Sequence, residues 1–142
     1  MERSVAQSSV GALMERPERL LSFGKMLRAK LALRVGKTAG VPPEILAGAG
    51  AAIEIIHSAS LLHDDVIDGA YLRRNAPAFW VERGVSGAIL LGDLLFFKAL
   101  EVIGGVAQGR LTSPLIRSCG EICEAESEQE LILRGKPVDW RQ

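Results

Sequence analysis

Apolar side chains recur along this chain at helical intervals, and glycine or proline punctuates the runs. After Gly24, the positions Leu27, Leu31 and Val35, with Leu33 flanking, repeat as one face of a helix does. V-P-P at Val41 to Pro43 ends that helix, and proline suits the first turn of the next. The spacing then predicts a long helix from Glu44 through A-G-A-G-A-A to the region of Gly69, with small side chains that let a neighbour approach closely. Asn75 to Val85, with Pro77 and Gly84, reads as a loop. The almost wholly apolar run from Ser86 to Ile103 predicts a buried helix stopping at Gly104 and Gly105. A further helix is expected to begin near Thr112 to Pro114, a cap followed by proline, and to run to about Arg134. An opening helical segment broken near Pro17 completes five or so helices. No strand alternation or repeat is present, so the predicted fold class is all-α. It forms one domain over 1–142, with an N-terminal segment (1–22), a helical core (23–134) and a tail (135–142).

The polar positions that interrupt this pattern carry the chemistry. Ile53 to Arg74 reads I-E-I-I-H-S-A-S-L-L-H-D-D-V-I-D-G-A-Y-L-R-R. At about 100° per residue, His57, Asp64 and Asp68 fall along one side of an otherwise apolar rod. Asp64, Asp65 and Asp68 repel one another by roughly 3 kcal/mol per pair at ~6 Å and an effective dielectric near 20, so a cation is expected among them. Oxygen ligands suit Mg²⁺, which keeps waters and takes one or two carboxylates plus substrate phosphates. The alternate acids, central glycine and distant glutamate of a calcium-binding EF-hand are missing.

Arg73 and Arg74 follow Gly69, and guanidinium groups grip phosphate oxygens bidentately. Lys25 and Arg28 lie three apart near the start of the first core helix, where amide groups and the helix dipole favour an anion. V-G-K-T at the end of that helix is not a P-loop, because Leu31 stands where the required glycine should be. Asp93 reads as a satisfied structural carboxylate. The acidic stretch E-I-C-E-A-E-S-E-Q-E reads as a solvated face, with Gln129 and Glu130 as lesser candidates for cavity contacts.

Composition narrows the function classes. The formal net charge is zero, and 48% of residues are hydrophobic. No basic excess or aromatic-rich basic patch points to nucleic acid. The sequence pattern predicts no membrane span and no signal-peptide core in Met1 to Val10, so a cytoplasmic location is expected. Cys119 and Cys123, four apart, fit neither a C-x-x-C redox pair nor a zinc site and read as free thiols.

Taken together, G-K-M-L-R, E-I-I-H-S-A-S-L-L-H-D-D-V-I-D, R-R-N-A-P and A-I-L-L-G-D-L-L resemble the N-terminal half of the trans-isoprenyl diphosphate synthases, or polyprenyl synthetases. The resemblance covers about Phe23 to Glu130. It implies roughly half of an isoprenoid-synthase helical bundle and a prenyltransferase that joins isopentenyl diphosphate to an allylic diphosphate by Mg²⁺-assisted ionisation. Asp64, Asp65 and Asp68 would form the first aspartate-rich motif, holding Mg²⁺ and the allylic diphosphate with help from Arg73. Lys25, Arg28, His57 and Arg74 would bind the diphosphate of isopentenyl diphosphate. Small Ala59 and Ser60 before the aspartates imply no block to longer products.

Three departures stand out. G-K-R-x-R-P appears as G-K-M-L-R-A, R-R-G-x-P appears as R-R-N-A-P, and no second D-D-x-x-D follows Leu131. The last implies completion by another chain that bears the second motif, or by a second copy in a homodimer. The alternatives are a non-catalytic truncated homologue that binds isoprenoid diphosphates or modulates a full-length synthase, and a class I terpene cyclase. A cyclase would leave Lys25, Arg28 and His57 without purpose.

Overall fold

A computed structural model describes residues 25–135 of the chain. The expected break near Pro17 and most of the expected tail lie outside the described residues. Four α-helices follow in order: α1 (Leu27–Thr38), α2 (Pro43–Ile67), α3 (Phe79–Gly104) and α4 (Thr112–Glu128). A five-residue π-helical turn, Gln129–Leu133, prolongs α4. The all-α expectation holds, with one addition. Between α2 and α3 the chain makes a short antiparallel ribbon, Leu72–Arg73 against Ala76–Pro77, with Arg73 opposite Ala76.

The central element is α2. Pro42 and Pro43 open it, where a missing N–H costs nothing. At its other end the chain leaves through Gly69 at φ +64°, a conformation glycine adopts without strain. One side of α2 packs against α3: Ala52, Ile55, Ala59 and Leu62 meet Leu91, Leu95, Ala99 and Ile103 in a continuous apolar core. Close approach depends on glycine. A Cβ on Gly92 would sit 2.2 Å from the His63 ring, and one on Gly48 2.3 Å from Val106. The other side of α2 holds α1, with Gly36 against Leu46 and Gly50 against Ala29.

Several expectations change on the structure. The loop read over Asn75 to Val85 is shorter, because α3 starts at Phe79 and accommodates Gly84 (φ 79°, ψ 160°) as a kink. The expected side-chain cap of α4 does not form: Leu111 occupies the cap position, and Thr112 lies within the first turn, its buried hydroxyl without a hydrogen-bond partner. The helix α3 is buried along one stripe only, with Leu90 67% and Phe97 70% exposed. On that outer side Asp93 is half-exposed, its partner being His63 at 3.4 Å.

The expectation about membrane spans also needs amending. At 25 residues and a mean hydropathy of 1.6, α2 is long and apolar enough to cross a membrane by length and composition. Here it is the core helix, held between α1 and α3 and carrying buried Glu54 and Asp65.

Candidate active site

The C-terminal turns of α2 carry Asp64, Asp65 and Asp68, and the chain reversal at Gly69 brings the following ribbon back alongside them. Amide bonds from Gly69 to Val66 and from Ala70 to Asp65 tighten the exit. Trp80 donates its indole N–H to the Ala70 carbonyl at 2.8 Å and lies against Tyr71 with ring centroids 5.1 Å apart. At the ribbon tip Arg74 (φ 52°) and Asn75 (φ 62°) both take left-handed backbone, the combination a two-residue hairpin turn requires. Asparagine tolerates that conformation, so replacing the family's usual glycine with Asn75 keeps the turn.

The three carboxylates do not act alike. Asp65 is 3% exposed, and its two oxygens accept from Arg73 Nε at 2.7 Å and Nη2 at 2.6 Å, a bidentate pair. This bond is the largest influence holding the Arg73 guanidinium protonated. Asp64 is half-buried and Asp68 exposed, one turn apart. Burial raises the Asp64 carboxyl above its usual value of 3.8, with Glu126 and Asp68 adding to the rise and Arg73 opposing it.

Among the described residues, no three His, Cys, Asp or Glu side chains are grouped so as to hold a metal ion by themselves. The expected trio of ligands is thus divided, with Asp65 committed to Arg73. Asp64 and Asp68 remain as hard oxygen donors of the number Mg²⁺ takes when substrate phosphates and water complete its shell. That donor chemistry fits the metal.

Part of the predicted basic set comes together. His57, half-buried, has a pKa lowered from 6.5 by burial first, then by Arg28 and, more weakly, by Arg73 and Arg74, with Glu54 opposing. Three segments therefore converge electrostatically on one turn of α2: the start of α1, the helix itself and the ribbon. Lys25 is exposed just ahead of α1 and is not among the groups acting on His57.

Two residues were missed in the sequence. Glu126 in the acidic stretch of α4 acts on Asp64, whereas Glu130, singled out earlier, pairs with Arg134. Glu54 is 2% exposed and accepts a hydrogen bond from the Ala29 backbone N–H at 3.0 Å. A lone acid in the apolar run I-E-I-I was the available signal, since a buried charge needs a partner.

Helices arranged as α1 to α4 are also found in proteins of known structure. The chain is 33% identical to a polyprenyl synthase from Caulobacter crescentus, whose crystal structure holds calcium and isoprenyl diphosphate. The match has a TM-score of 0.81 and covers 90% of this chain and 39% of that one. A short chain isoprenyl diphosphate synthase of Methanothermobacter thermautotrophicus is 36% identical over 132 residues, 89% of this chain and 41% of that protein. Heptaprenyl diphosphate synthase component 2 of Geobacillus stearothermophilus is 36% identical over 130 residues, 91% of this chain and 40% of that protein.

The polyprenyl synthetase family profile matches residues 12–138, and the chain belongs to that family. It spans about two fifths of the length of these relatives.

Proposed function

We propose that this chain is a prenyltransferase, or a subunit of one, that condenses isopentenyl diphosphate with an allylic diphosphate and is completed by a second chain or a second copy. The observation that carries the reading is the bidentate Asp65–Arg73 pair, which holds the ribbon bearing Arg73 and Arg74 against the end of α2 beside Asp64 and Asp68. Asp64 and Asp68 would hold Mg²⁺ beside the allylic diphosphate, where the ion would neutralise charge on the leaving group. Asp65 orients Arg73 toward that diphosphate. Lys25, Arg28, His57 and Arg74 grip the diphosphate of isopentenyl diphosphate. Small, half-buried Ser60 stands between the two sets along α2, while Ala59 is packed into the core against α3.

Completion by another polypeptide is supported by exposed apolar side chains on α3 and at the end of α4, including Phe97 and Leu131. The word "component" in the Geobacillus protein's name fits the same arrangement. A non-catalytic diphosphate-binding homologue is the second reading, favoured by the commitment of Asp65 to Arg73, which leaves no group of three acids able to hold a metal ion among the described residues.

Incorporation of labelled isopentenyl diphosphate into an extractable product, with an allylic primer and Mg²⁺, tests the proposal. Product that disappears with Asp64→Ala is the expected result. Turnover untouched by that substitution contradicts it, and binding of both diphosphates with no turnover supports the second reading.

A further inference from the structure

Glu54 is a buried acid that the site as described leaves unused. Its Oε1 accepts from the amide of Ala29, the third residue of α1, at 3.0 Å. That helix has no side-chain cap of its own and is entered through Met26 in left-handed backbone (φ 47°, ψ 45°). The cap comes instead from the neighbouring helix. One turn earlier on the same face of α2, Gly50 lies so close that a Cβ there would be 3.3 Å from Ala29 Cβ. One turn later, the Ser58 hydroxyl donates to the Glu54 carbonyl at 2.9 Å. Gly50 and Glu54 together seat the start of α1, and Arg28 is the residue next to that seat. His57 follows Glu54 by three positions, so one turn of α2 carries both the anchor and the histidine. A carboxylate beside an anion pocket would ordinarily repel the ligand. This one is turned inward onto the Ala29 amide at a helix start, where negative charge is favoured.

We propose that Glu54 is a positioning residue for the second diphosphate: by capping α1 from α2 it fixes where Lys25 and Arg28 stand relative to His57. The inference rests on the assignment of Lys25, Arg28, His57 and Arg74 to isopentenyl diphosphate.

The test titrates the full chain with isopentenyl diphosphate, and separately with an allylic diphosphate plus Mg²⁺. Loss of one buried charged hydrogen bond predicts that Glu54→Ala weakens isopentenyl diphosphate binding roughly tenfold and leaves the allylic diphosphate within about twofold. The same variant should speed hydrogen exchange at the Ala29 amide. Glu54→Gln keeps an acceptor oxygen and should recover binding to within roughly threefold of the parent. If Glu54→Ala does not fold, Gly50→Ala presses on the same seat with the carboxylate intact and should weaken isopentenyl diphosphate alone.

Equal loss for both ligands overturns the positioning role, and so does unchanged exchange at Ala29. Failure of the parent chain to bind isopentenyl diphosphate, with Ala29 still responding to Glu54→Ala, instead overturns the assignment of the basic set. The role built on it then falls too, and only the cap survives.

Discussion

Asp64 and Asp65 are sequence neighbours in opposite electrostatic situations. Asp65 has both oxygens satisfied by one guanidinium, whereas Asp64 is half-buried with Glu126 and Asp68 nearby. A carboxyl that holds its proton more tightly when folded favours folding while protonated. That contribution fades as pH rises from the unfolded value near 3.8 through the raised folded value. Asp64→Asn should therefore raise the Tm of the ligand-free chain at pH 7 and change it little at pH 3, while Mg²⁺-dependent binding is lost. An equal Tm shift at both pH values would mean that charge is not the cause. A cation bound as proposed would relieve that repulsion.

Between elements, the decisive link is the return of the ribbon onto α2. Gly69 reverses the chain, and the Asp65–Arg73 pair fixes the hairpin that presents Arg74. Breaking a fully buried pair costs about 3–5 kcal/mol, but Arg73 is 36% exposed, so Asp65→Ala should cost only about 2–3 kcal/mol. Urea denaturation measures this. A loss below about 0.5 kcal/mol would mean that the pair does not hold the ribbon.

The sequence made α2, its glycine stop and the basic residues after it legible, because helical spacing and turn chemistry are local. The division of labour among the three acids was not legible. It depends on Arg73 returning over eight residues to Asp65, which no linear spacing encodes. Glu54 was hidden differently. An acid among apolar neighbours needs a partner, and Glu54 is buried where Asp93 is half-exposed. Periodicity marks a position as facing inward without saying which helix it will face.

For the molecule as a whole, the continuous apolar core of the described helices lies between α2 and α3, while apolar side chains on the outer side of α3 and the end of α4 remain in solvent. Family membership and helical architecture could be read from the motifs. The completing surface could not, because it lies in whatever packs against those faces.

The proposed function requires two separate anion sites, one acidic and Mg²⁺-assisted at the end of α2, one basic around His57. Calorimetric titration of the parent chain, Asp64→Ala and Arg28→Ala with each diphosphate probes this directly. Asp64→Ala should abolish Mg²⁺-dependent binding of the allylic diphosphate and spare isopentenyl diphosphate, and Arg28→Ala should do the reverse. Both variants weakening both ligands alike, or a parent chain that binds neither, would contradict two separate sites.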